Sequence, residues 1–108
     1  MTAYKVTTPN GEVITRNSKR NYTHAAFVIL ENGDYSYVGF AGSYDLAIKA
    51  AKHSIFWGFA AGRKGLKAIR HRDPEAYARG MARLAENEIK ALKLIPAAIE
   101  VTVEGGVA

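Results

Sequence analysis

Apolar residues recur along this chain with two different periods. Alternation with a period of two runs through Ala3–Thr8, Glu12–Asn17, Tyr22–Glu31 and Asp34–Ala41, and again after Pro96, so these segments read as strands. Pro9-Asn10-Gly11 separates the first two, and Asn32-Gly33 the next two. Asn-Gly supplies the positive φ angles of a two-residue type I′ turn, so each pair is expected to form a hairpin. Folding the second hairpin about its turn sets Leu30 against Tyr35, Val28 against Tyr37, Phe27 against Val38 and Ala25 against Phe40. One face then carries Ala25, Phe27, Ile29, Val38 and Phe40, the expected core. The other carries Tyr22, His24, Ala26, Val28, Leu30, Tyr35 and Tyr37. In the last strand Ile99, Val101 and Val103 point inward, and Gly105–Ala108 is expected to fray.

Helical spacing takes over at Ser43. Tyr44, Ala47, Ile48, Ala51, Ile55 and Phe59 form one stripe, while Leu46, Ala50 and Trp57 form a second, nearly opposite one. A helix lying on a sheet needs one buried face, and this one offers two. Ser43 is placed to cap it, with Asp45 favourable in the first turn, and Gly62 is the expected terminating position. Asp73-Pro74-Glu75 opens the second helix: a capping Asp, proline at the first helical position and an acid behind it. It is expected to run to about Leu94, with Tyr77, Met81, Leu84, Ala85, Ile89 and Leu92 on one face. Gly80 within it costs up to about 1 kcal/mol relative to Ala unless something packs close there. Arg63–Arg72 between the helices could be a short helical turn anchored by Leu66 and Ile69, or an ordered loop.

The resulting order, β-β-β-β-α-α-β, predicts an α+β domain: an antiparallel sheet of four to five strands with both helices on one face. The length suits one domain over residues 1–108, with a core that needs no disulfide or metal support. One stripe of the first helix is expected on the sheet. The other, Leu46, Ala50 and Trp57, must meet the second helix or another chain.

Charge sharpens this picture only once it is located. The net charge is +5; residues 1–54 contribute +2, residues 73–108 contribute −2, and residues 55–72 alone carry +5 through Arg63, Lys64, Lys67, Arg70 and Arg72. A concentrated excess points to a polyanionic partner better than a diffuse one does. If the segment is helical, Arg63, Lys67 and Arg70 share a face. The same run also suits a solvated connector. Tyr22, Tyr35 and Tyr37, with Lys19 and Arg20 nearby, resemble in kind the aromatic platforms that stack on single strands. Tyrosine is equally favoured in strands for packing, and GDYSYVGF lacks the order K/R-G-F/Y-G/A-F-V-x-F/Y of an RNA-recognition motif.

Catalytic chemistry finds little purchase. The chain has no cysteine, hence no disulfide, thiolate nucleophile or thiolate metal site. His24, His53 and His71 are isolated, with no metal-type partner at i+3 or i+4. Gly58, Gly62 and Gly65 do not form GxxxxGK(S/T), and no serine lies in a nucleophile elbow. No enzyme, cofactor, metal or small-molecule substrate is expected. The N-terminal residues lack a basic-then-apolar signal pattern and no apolar run approaches about 18 residues, so no membrane partner is expected and the location is expected to be cytoplasmic.

Arg16-Asn17-Ser18-Lys19-Arg20-Asn21-Tyr22-Thr23-His24 ahead of an apolar strand, followed by Ser43-Tyr44-Asp45-Leu46-Ala47 at a helix start, resembles small uncharacterised accessory proteins of bacteriophages that infect actinobacteria. The resemblance covers roughly residues 16–50. It implies a compact phage protein acting in the host cytoplasm, and it supplies no activity and no site residues. Two functional expectations follow. The first is a non-enzymatic nucleic-acid-binding protein using Lys19, Arg20, Arg63, Lys64, Lys67, Arg70, Arg72, Tyr22, Tyr35 and Tyr37, without sequence readout. The alternative is a protein-interaction module, a homodimer or a binder of a host protein, using Leu46, Ala50 and Trp57 or the tyrosine face.

Overall fold

The computed structural model describes residues 1–103. Its elements are β1 (Thr2–Thr7), β2 (Val13–Ser18), β3 (His24–Ile29), β4 (Tyr35–Ala41), α1 (Tyr44–Ile69), α2 (Pro74–Ala91), β5 (Ile95–Glu100) and β6 (Thr102–Val103). The class is α+β, as the spacing predicts. The strands form two antiparallel three-stranded sheets, β2-β1-β6 and β4-β3-β5, in place of the single sheet expected. The final alternating run causes the division. Ile95–Glu100 pairs with β3, and Thr102 and Val103 then pair with Lys5 and Tyr4 of β1. Between them the Val101 amide donates to the Thr23 carbonyl at 3.0 Å, so one run serves two sheets. Pro96 lies inside β5, which is tolerable because β5 is an edge strand. The expected fraying of Gly105–Ala108 lies outside the described residues.

Both hairpins form, but with three-residue loops. Among the described residues only Gly11 and Gly33 have positive φ, 87° each, and their amides donate to the Thr8 and Leu30 carbonyls at 2.9 Å. This is a type I turn followed by a left-handed glycine, the usual three-residue solution. In the second hairpin it slides β4 by one residue, pairing Ile29 with Tyr35 and Phe27 with Tyr37. A bulge between Ala26 and Phe27 then absorbs Val38 and restores the Ala25–Phe40 pairing expected from the sequence. The two irregularities move Tyr35 and Tyr37 to the Phe27 face and turn Val38 to the opposite one.

The helix therefore lies on the face expected to be open. Ala47, Ala51 and Ile55 of α1 bury against Ala26, Val28 and Ala41, with Val38 and Ala98 alongside. Alanine on both surfaces lets the helix backbone approach the sheet closely. The bulkier face, with Phe27 fully buried, is covered by the β2-β1-β6 sheet through Val6 and Ile14. The order of layers is sheet, sheet, helix.

The second correction concerns α1, which does not stop at Gly62. It runs 26 residues to Ile69, absorbing most of the basic link into helix. It packs on the core of the body as far as Phe59. The last 10 residues, about 15 Å at 1.5 Å per residue, run on alongside α2. The glycines make that pairing possible. A Cβ at Gly62 would stand 3.4 Å from Leu84 Cδ1, and one at Gly80 would collide with the Leu66 side chain. Two leucines thus seat on two glycines reciprocally, locking an antiparallel hairpin whose turn is capped by Asp73 accepting from the Ala76 amide at 3.1 Å. α2 buries only Ala91. The molecule measures 62 × 29 × 18 Å, a small β body with a helical arm.

Candidate nucleic-acid interface

The far end of the arm collects the charge. Residues 63–83 carry seven Lys/Arg against Asp73 and Glu75, a net +5 within 21 residues. Arg63, Lys64, Lys67, Arg70 and Arg72 are all exposed. As α1 continues through them, Arg63, Lys67 and Arg70 do share a helical face. The return helix adds Arg79 and Arg83, which flank Gly80 and Leu84 and so sit at the levels of Leu66 and Gly62. Both lie outside the 55–72 window that holds the charge excess of the sequence. Their contribution depends on the hairpin closing, and Gly80 opposite a leucine was the one local sign of it.

Ion pairing thins this set. Arg63 pairs with Glu88, and Arg79 lies 4.0 Å from Glu75 with both side chains largely exposed, an interaction worth little. Among the described residues Lys64, Lys67, Arg70, Arg72 and Arg83 have no acidic partner within 4 Å. An outside anion held by any of these five would displace no ion pair among the described residues.

The tyrosines are arranged differently from a stacking platform. Tyr35 and Tyr37 meet Phe27 edge-on, with centroids 6.0 and 5.9 Å apart at 72° and 64°. Tyr37 also meets Phe40 at 5.8 Å. Tyr22 lies 5.2 Å from Tyr4 and 5.6 Å from Phe40, and the Arg16 guanidinium sits 5.4 Å from its centroid. These rings line the space between the two sheets, and of the three only Tyr37 is exposed, at 40%. The Tyr4 hydroxyl donates to the Arg20 carbonyl at 2.8 Å, tying down the connector that carries Lys19 and Arg20. That connector lies beside the start of α1, where an added Cβ on Gly42 would stand 3.4 Å from the Asn21 carbonyl oxygen. Residue 63 comes 20 residues later along the same helix, about 30 Å away. Lys19 and Arg20 are therefore not gathered with the basic arm.

The second stripe of α1 remains open. α2 packs along Gly62 and Leu66 and leaves Trp57 69% and Leu46 55% exposed, with Ala50 half-buried between them. With Val38, Lys49, His53 and Ser54 they line a shallow groove of about 760 Å³. The His53 ring stacks beside Trp57 at 6.5 Å and 26°. Phe56 is exposed on the neighbouring side of the arm, as are Ile89 and Leu92, which belong to the α2 face that the sequence offers as a cover for this stripe. Among the described residues there is no grouping of three or more His, Asp or Glu suited to a metal ion, and no helix long and apolar enough to cross a membrane. No protein-family model, curated protein or solved structure matches the chain.

Proposed function

We propose that this is a non-enzymatic nucleic-acid-binding protein that lays the end of its helical arm along a phosphate backbone. The observation that carries the reading is the net +5 of residues 63–83, with Lys64, Lys67, Arg70, Arg72 and Arg83 exposed and unpaired among the described residues. An arm held away from the body can approach a duplex or single strand without a clash from the sheets. The cations are long, flexible side chains around a helical turn, suited to phosphates and not to base edges, so binding is without sequence readout. In keeping with the resemblance to small phage proteins, the host cytoplasm is its proposed location.

Binding of a generic oligonucleotide measures this directly. Four phosphate contacts predict an affinity that falls about 100-fold between 50 and 200 mM salt. Lys67→Glu with Arg70→Glu is expected to weaken binding at low salt at least about tenfold and to flatten the salt slope by about two contacts. No detectable binding at low salt, or an affinity unchanged by the double reversal, would remove the reading. A protein partner would draw on a different face, Leu46–Trp57, so the two possibilities respond to different substitutions.

A further inference from the structure

A folded monomer of this mass exposes about 5,900 Å². This chain exposes 7515 Å², an excess of about 1,600 Å². Its radius of gyration is 18.2 Å, against about 13 Å for a compact chain of this length. The surplus surface is not merely polar arm, because Leu46, Phe56, Trp57, Ile89 and Leu92 are between 42% and 74% exposed. A standard stable interface removes about 800 Å² from each partner, which the surplus exceeds twofold.

We propose that a second copy of this chain covers the open face of α1, with the two α1 helices antiparallel about a two-fold axis near Ile55. The spacing along the face supports helix against helix. Leu46, Ala50, His53, Trp57, Ala60 and Lys64 are separated by four, three, four, three and four residues, the seam of a left-handed helix pair. Antiparallel pairing about Ile55 sets Ala50 opposite the other copy's Ala60, and Trp57 opposite its His53. The indole and imidazole rings thus meet near the axis, and the Ala50–Ala60 pairs on either side let the helices close. Lys64 falls opposite Leu46, where its aliphatic stem can lie along the leucine while the ammonium stays in water. Electrostatics selects this direction. Parallel pairing would place two arm ends of net +5 side by side, whereas antiparallel pairing sends them to opposite ends. The contact is self-complementary, as two-fold symmetry requires.

Light scattering and sedimentation at micromolar concentration are expected to give twice the 11.8 kDa chain mass, with no nucleic acid present. Leu46→Glu and Trp57→Asp should each weaken self-association at least about tenfold. Circular dichroism should be unchanged, because both side chains are more than half exposed in the monomer. The chain has no cysteine, so cross-linking can read the direction. Ala50→Cys with Ala60→Cys in one chain should oxidise to a covalent dimer, while either single variant should not. A parent that stays monomeric, including one that instead binds lipid vesicles or another protein through Trp57, overturns the proposal. So does a dimer indifferent to both charged substitutions, or efficient cross-linking by Ala50→Cys alone.

Discussion

Phe27 divides the interior in two. Its side chain is fully buried on the face of β3 that meets the second sheet, while its neighbours Ala26 and Val28 face the helix. Tyr35 and Tyr37 pack edge-on to its ring and Val6 closes over it. Truncation would leave a cavity that two stiff β-sheets cannot easily collapse into. Phe27→Ala is expected to cost about 3–5 kcal/mol, a large share of a total stability on the order of 5–15 kcal/mol. A urea titration followed by tyrosine fluorescence and circular dichroism checks this. A midpoint within error of the parent would show that the two sheets do not depend on that contact. Alternation in the sequence identifies Phe27 as core. It does not identify what covers Phe27, because the partner face was exchanged by a three-residue loop and a bulge at Val38, each shifting the register by one residue.

At the level of elements, the α1–α2 hairpin separates what glycine costs from what it permits. Gly65 and Gly80 both lie inside helices, where glycine is less favourable than alanine by about 1 kcal/mol. An added Cβ at Gly65 meets nothing within 4 Å, so Gly65→Ala should raise the melting temperature and helical signal by an amount in keeping with about 0.5–1 kcal/mol. At Gly80 the new methyl collides with Leu66, and the displaced leucine loses its seat on α2. Gly80→Ala is expected to gain nothing or to lose stability, despite the better propensity. Thermal melts of the pair decide it; equal stabilisation by both would mean that Leu66 moves aside freely. The same contact explains why the helix end was misread. Gly58, Gly62 and Gly65 weaken a lone helix and suggest a stop. Paired with a second helix, Gly62 becomes a place for Leu84 to approach, and the packing outweighs the propensity.

For the whole molecule, the two proposals make a joint prediction. An antiparallel dimer centred near Ile55 places its two α1 ends about 40 Å apart, since each lies 14 residues from the axis. A duplex must be about 12 base pairs long to reach both. Trp57→Asp should therefore weaken binding to a 30-base-pair duplex, as order-of-magnitude reasoning on effective concentration, by about tenfold or more. Binding to a duplex of about 8 base pairs, roughly 27 Å long and so able to reach one arm, should change little. Equal loss on both lengths would mean that Trp57 contacts the nucleic acid itself. Fluorescence anisotropy with the two ligands makes the comparison.

By itself the sequence determined the α+β class, the two hairpins, the Asp73-Pro74 start of α2 and the concentration of positive charge between residues 55 and 72. Each of these rests on local physics: side-chain alternation, turn residues, a cap, and the count of charges in a window. Tertiary structure alone decided that the basic segment is a continuation of α1, that Arg79 and Arg83 join it, and that the tyrosines are spent between two sheets, on the side of β3 away from α1. These depend on contacts between residues far apart in the chain, Leu66 with Gly80 and Thr23 with Val101 among them, whose geometry no local pattern encodes. The open stripe of Leu46, Ala50 and Trp57 belongs to both accounts. Its apolar spacing is written in the sequence, and its lack of an internal partner follows from α2 closing on the other side of α1.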